Sequence, residues 1–397
     1  MGEEPPNTAE RETGGLTITF EASPALLLAD DGSGTQTTFV DNQMGGTTLE
    51  LSWDSGSGGP WRFSAALDLD FFHLKSDEVS QSRRSGGLSA EVGGASLSVE
   101  RTGLVSLTAG LTGGASDGVG EIDLSGTQIA GSINLDDAGG GYVLRGAQGG
   151  LTDIAWSDAF DSLDNFGGPN GLALRIESAP LSGVTLSSAL GERDAWDAAI
   201  RFESAGAIAF AAGAGFHRRP HGDEDDRAGD TLLGSLSLLH RASGLNFTLA
   251  GGRGSFARGA GADDEASERP APRTFTYAKL GYRRALFAAR ETALFAEFGR
   301  FNDGIGVDVE GADIAALADI PADARCEAPG VACTISGAEG DVWGAGVVQD
   351  MTTHLRVFAA YRSYGLALNF ADLNRAPLGA ASSHSFVTTM IGLHILF

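Results

Sequence analysis

Period-two alternation constrains this chain most. In the terminal stretch 385–397, Val387, Ile391, Leu393, Ile395 and Phe397 share one parity, and Thr388, Met390, Gly392 and His394 share the other. Trp61, Phe63, Ala65, Leu67, Leu69 and Phe71 likewise alternate with Arg62, Ser64, Ala66, Asp68, Asp70 and Phe72. Leu355, Val357, Ala359 and Tyr361 alternate with Arg356, Phe358, Ala360 and Arg362. Such a period predicts strands with one apolar face and one small, polar or charged face. Charges turned into a dry sandwich core would be costly. Turned into a water-filled lumen, with the apolar face on lipid, they cost little.

Candidate strands recur at 15–29, 36–54, 60–75, 86–92, 95–101, 170–178, 183–191 and 195–203. They continue at 206–216, 231–241, 244–255, 273–284, 291–302, 341–350, 353–364 and 385–397. The total is sixteen, an even number, as closed bacterial membrane barrels have. The connections sort by length. One end takes short turns, including Gly93-Gly94, 204–205, 242–243 and 351–352. The other takes the long stretches 76–85, 102–169, 217–230, 256–272, 303–340 and 365–384, together with two short ones, 30–35 and 192–194. This asymmetry is that of an outer-membrane barrel. Residues 1–14, with four acids and two prolines, read as an unpaired tail, and 15–397 as a single barrel domain. Strand-like stretches inside 102–169, at 104–111 and 121–124, leave eighteen strands as an alternative count.

Composition agrees. Glycine is 58 of 397 residues, twice the usual ~7%. No run of ~18 apolar residues exists, which excludes spanning helices. A hydrophobic fraction of 42% argues against disorder. The net charge of −25, with Lys75 and Lys279 the sole lysines, excludes a nucleic-acid partner. The acid excess either solubilises or lets divalent cations bridge carboxylates. Cys326 and Cys333 flank Pro and Gly and can close a small disulfide loop in an oxidising compartment, or stay as two thiols. Two cysteines are too few for a zinc site. Residues 1–14 show no secretory signal, so an exported protein would be numbered from a processed start.

The terminal strand ending in Phe397, the sixteen-segment rhythm and the long third connection followed by 170–187 together resemble the general porins of Gram-negative outer membranes, in particular the alphaproteobacterial type. The resemblance implies a passive diffusion channel for small hydrophilic solutes and ions, no cofactor, a homotrimer, and contact with outer-membrane lipid and lipopolysaccharide. It makes Ile391, Leu393, Ile395 and Phe397 the signal read by the barrel-assembly machinery, and 102–169 an inward-folded constriction loop. The loop is acidic, most densely at Asp153, Asp158, Asp161 and Asp164. Candidate partners on the wall are Arg62, Arg101, Arg175, Arg201, Arg356 and Arg362. Acids facing arginines would set a transverse field that filters solutes. The acid excess predicts cation preference. Loop 76–85, with Arg83 and Arg84, is a candidate subunit latch.

No metal site is expected. His217 and His221 lie beside four acids, but Pro220 interrupts any helix there. Structural calcium at acidic loops stays open, because hard cations favour carboxylates. No nucleophile elbow, His-Glu-x-x-His or Cys-x-x-Cys motif is present, so an enzyme is not expected. The rival readings are a channel selective for sugars or organic acids, and a plugged surface protein or enzyme.

Overall fold

The computed structural model describes residues 14–56, 58–146, 149–160, 171–219, 229–256, 272–287, 290–302, 308–309, 333–372 and 377–397. Among these, sixteen antiparallel staves form one closed sheet. The first, β1, has two segments, Gly15–Ala22 and Pro24–Asp30, separated at Ser23. In β2 the segments are Thr35–Asp41 and Thr48–Asp54. Next come β3 (Trp61–Phe72), β4 (Ser89–Arg101) and β5 (Val105–Thr112). They are followed by β6 (Gly171–Ser178), β7 (Val184–Leu190), β8 (Trp196–Ser204) and β9 (Ile208–Arg219). Then come β10 (Gly229–His240), β11 (Leu245–Phe256), β12 (Arg273–Phe287) and β13 (Arg290–Asn302). The last are β14 (Cys333–Asp350), β15 (Leu355–Asp372) and β16 (Phe386–Leu396). Closure is direct, because β16 pairs with β1 from Asp30↔Val387 to Glu21↔Leu396.

The expected total of sixteen holds, but one assignment inside it is corrected. Segments 86–92 and 95–101 are a single stave, β4. Asp68 pairs with Gly94 and Leu69 with Val92, so Gly93 is the extra residue of a β-bulge and not a turn. A Cβ at Gly93 would lie 2.2 Å from the Asp70 carboxylate, so the bulge accepts glycine most easily. The missing fifth stave is Val105–Thr112, inside the stretch 102–169 that the sequence assigns to the third connection and close to its strand-like segment 104–111. The internal loop therefore starts at 113, not 102.

Alternation survives as geometry. Leu16, Leu97, Leu172 and Leu280 point outward with 60–68% exposure, where water would penalise each by about 1.5–3 kcal/mol. An apolar belt of this kind is at rest only in lipid. The buried core lies inside the barrel instead. Leu27, Val40, Leu135, Tyr142, Trp156, Phe160, Phe301 and Phe386 are enclosed between the wall and the loop after β5. Trp156 stacks on Phe386 with ring centroids 5.4 Å apart, and Phe160 meets Phe301 edge-on at 4.1 Å.

Candidate functional site: a lumen divided by an internal loop

The loop after β5 runs along the inside of the wall. Its first turn is tied to β8, where Ser116 donates from N and Oγ to Asp197 Oδ2 at 2.6 and 2.7 Å. A short 3-10 turn, Val119–Glu121, follows against β10, with Ser235 Oγ donating to Val119 O. Ser237 Oγ accepts from Leu124 N at 2.9 Å. On β12 the Lys279 ammonium pairs with Asp123 and donates to Gly131 O at 2.7 Å. Arg362 of β15 donates to Glu297 Oε1 at 2.7 Å and to Ser132 O at 2.9 Å. Tyr277 OH donates to the other Glu297 oxygen at 2.7 Å, and Tyr364 OH donates to Leu135 O at 2.8 Å. Beyond these, Asn42 Nδ2, between the two segments of β2, donates to Ile129 O at 2.8 Å.

These anchors are deeply buried, with Lys279 at 1% and Glu297 at 4% exposure. A charge in that position is tolerable only when paired and fully hydrogen-bonded. The wall charges here answer the loop's acid and its backbone carbonyls, so the loop is fixed and not suspended.

At the long-loop end, Asp31 receives Arg145 Nη2 at 2.8 Å and Gln81 Nε2 at 3.0 Å. Burial alone would raise the Asp31 pKa, but its bonds to Arg145, Ser33 and Gln81 outweigh that and hold it below the usual carboxylate range. Tyr142, buried beside it, is pushed up to about 12. Loop 73–88 packs on its own chain: Ser76 Oγ bonds Asp137 O, and Gln81 bridges Asp31 and Val143 O. Residues 76–85 are thus folded over the chain's own lumen loop.

Among the described residues, the side of the lumen away from the loop keeps exposed and half-buried side chains. Its wall is the inner face of β2 to β6. Inward acids there are Glu50, Asp54, Asp68, Asp70, Glu91, Glu100 and Glu177, against Arg62 and Arg175, with Lys75 leaning in from a loop. Glu50 stands directly opposite Asp68, and Asp70 opposite Glu91. Lys75 answers Glu91 at 2.6 Å. Burial would lower the Lys75 pKa, but the Glu91 carboxylate raises it above the ordinary lysine value. Between and below the acids run Ser52, Ser64, Ser96, Ser98 and Thr108, with Ser98 and Thr108 hydroxyls 2.7 Å apart. Glu121 and Asp117 on the loop are half-buried.

The expected basic side of the constriction does not assemble as a row. Arg362 is the loop's buried anchor. Arg201 donates to Asp117 O and to Ser187 Oγ. Arg62 pairs with Asp54, and Arg356 with Asp350 at 3.1 Å, both near the short turns. Arg175 faces inward on β6, with no ion pair among the described residues. Arg101 is corrected outright: it shares the outward register of Trp61 and lies over that ring at 5.8 Å.

Of the expected acids, Asp158 is exposed, lies within the one-turn helix Trp156–Phe160 and accepts from Ala155 N at 2.8 Å. The Asp153 side chain, Asp161, Asp164, Cys326 and the Cys333 side chain lie outside the described residues. Sequence reasoning missed Glu50, Asp68, Asp70 and Glu91 as a group. Their inward parity was readable, but the cross-strand register that stacks them was not.

No protein-family model matches the chain, and no curated protein matches it. Solved structures do. The outer membrane protein OmpT of Vibrio cholerae, in its trimer form, superposes with a TM-score of 0.58 at 10% identity. That match covers 97% of this chain and 100% of the other. The anion-selective porin from Comamonas acidovorans gives 0.56 at 11% identity, over 97% of this chain and 100% of its own. At such identities the likeness is one of fold: a porin-type barrel of sixteen staves.

Proposed function

We propose that the chain is an outer-membrane diffusion pore that prefers cations and passes small hydrophilic solutes down their gradients. One observation carries this reading. Opposite a fixed internal loop, a water-exposed wall remains, lined by hydroxyls and by an excess of carboxylates. Charged linings of this kind attract counter-ions and repel co-ions. The Comamonas porin is anion-selective on the same fold, so lumen charge, not architecture, decides the sign.

A homotrimer is the proposed assembly, supported by the trimer form of the Vibrio neighbour. No catalytic role is proposed. Ile391, Leu393, Ile395 and Phe397 remain the proposed assembly signal. All four share the outward parity of β16, and Phe397 exchanges backbone hydrogen bonds with Phe20 of β1 at 2.9 and 3.0 Å. Calcium at acidic loops, lipopolysaccharide contact and the 326–333 disulfide stay as proposals.

A sugar-selective channel would use aromatic rings exposed along the lumen. Here the inward rings Phe275, Tyr277, Phe295, Phe301 and Tyr364 are buried, and Phe72 on the open wall is half-buried with the Lys75 ammonium over its ring at 4.3 Å. This favours the unselective pore. Liposome swelling with neutral sugars of graded size tests it. Rates that fall smoothly with solute size support a diffusion pore, and a single fast sugar among equals would favour the selective channel.

A further inference from the structure

Several inward charges of opposite sign close on each other. Arg62 pairs with Asp54, Lys75 with Glu91, Arg283 with Glu291 and Arg356 with Asp350. Arg175 and Glu177 of β6 do not. They share the lumen-facing parity, because Leu172, Leu174 and Ile176 take the outer face with 45–61% exposure. Both are half-buried, and neither side chain makes an ion pair or a hydrogen bond among the described residues. Two positions along a strand set their side-chain roots about 7 Å apart. The pair is thus a dipole with both ends turned to the lumen and neither end satisfied.

The neighbouring staves keep the two ends distinct. Thr108 of β5 stands opposite Arg175, and Ser106 opposite Glu177. The Ser106 row continues to Glu100 of β4, so a hydroxyl lies between two carboxylates at the acid end. On β7, Ala189 is opposite Arg175 and Ser187 opposite Glu177. The Arg175 row runs on to Asp197 of β8, whose carboxylate already holds Ser116. Arg201 donates to Ser187 and to the Asp117 carbonyl. A solute with one charge satisfies one end of this dipole and meets its own sign at the other. An anion also meets the acid excess of the wall. A zwitterion satisfies both ends, since a guanidinium grips a carboxylate with two parallel donors and a carboxylate accepts from an ammonium. An α-amino acid carries its ammonium on the carbon next to its carboxylate. With one set of hydrogen bonds at each end, it suits side chains rooted that far apart.

We propose that Arg175 and Glu177 form a docking site for zwitterionic α-amino acids, with the solute carboxylate on Arg175 and its ammonium on Glu177. The proposal deepens the pore reading above and rests on it, but binding can be read without current. Its test is saturation-transfer NMR on the full-length, detergent-folded chain, with L-alanine, propionate and ethylamine as probes at equal ionic strength. Propionate lacks the ammonium of alanine, and ethylamine lacks its carboxylate. L-alanine should bind about tenfold more tightly than either, the factor for one charge-assisted hydrogen bond. Arg175→Gln and Glu177→Gln, each checked as a folded barrel by circular dichroism, should each lose that advantage. Equal binding of alanine and the two smaller probes by the wild type, or undiminished alanine binding by either variant, would overturn the proposal. A wild-type barrel that binds alanine selectively yet passes no current would support this site and overturn the pore reading.

Discussion

Arg362 and Glu297 stand 2.7 Å apart with side-chain exposures of 2% and 0%, and both serve the loop after β5. Arg362 reaches the Ser132 carbonyl, and Glu297 holds the Tyr277 hydroxyl. Removing one partner strands a buried charge, at a cost of about 3–5 kcal/mol. Arg362→Ala should therefore loosen the loop, seen as faster proteolysis within 113–146 and noisier single-channel current. The double variant Arg362→Met with Glu297→Leu leaves no orphan charge and should regain most of the thermal stability.

Lys279 is a second, separate lock, closing on Asp123, Thr127 and Gly131. Lys279→Met leaves Asp123 buried without its cation. Thermal unfolding should fall by a margin comparable to that of Arg362→Ala. Because both locks hold one loop, their combined loss should be smaller than the sum of the two, which a double-mutant cycle reads directly.

Lys75 is the loop cation leaning into the acidic wall, 2.6 Å from Glu91. Lys75→Gln frees that carboxylate to act on passing ions. Cation preference, read as reversal potential under a salt gradient, should rise. An unchanged potential would mean that the permeating ions do not pass this stretch of wall.

Strong acid should release the loop at its outer end. Asp31 is held below the ordinary carboxylate range by Arg145, Ser33 and Gln81. A lowered folded-state pKa means a contribution fully present above the unfolded value of about 3.9 and lost as pH falls through the folded one. The tie through Arg145 thus persists through mild acid and fails below it. Asp31→Asn should remove this pH dependence, measured as loop proteolysis against pH, and should weaken the tie at neutral pH.

The barrel was legible because lipid and lumen impose opposite demands on adjacent residues. Sorting of turn lengths then oriented its two ends. Two details were not legible. Gly93-Gly94 looks like a turn, yet hydrogen bonding continues past it, because one extra residue bends β4 without ending it. Val105–Thr112 alternates as cleanly as any stave, but only pairing with β4 and β6 shows that it belongs to the wall.

Site chemistry was harder to read than the fold. The arginines were identified as a group, but parity alone does not separate Arg362, buried under the loop, from Arg175 on the open wall. Arg101 shows the limit of counting, because the Gly93 bulge reverses the parity of the residues after it, and Arg101 faces outward. Glu50 and Asp68 sit nearly twenty positions apart in sequence and meet only through the β2–β3 register.

The central claim is that the open wall of β2 to β4 sets the pore's charge preference. The most direct measurement is the reversal potential of single channels in a planar bilayer under a potassium chloride gradient. It compares wild type with a variant carrying Glu50→Gln, Asp68→Asn and Asp70→Asn, and with Asp158→Asn as control. The account predicts a cation-preferring wild type, a triple variant shifted towards no preference with conductance retained, and a control like wild type. A triple variant with the wild-type potential, or a folded wild-type barrel that carries no current, would contradict it.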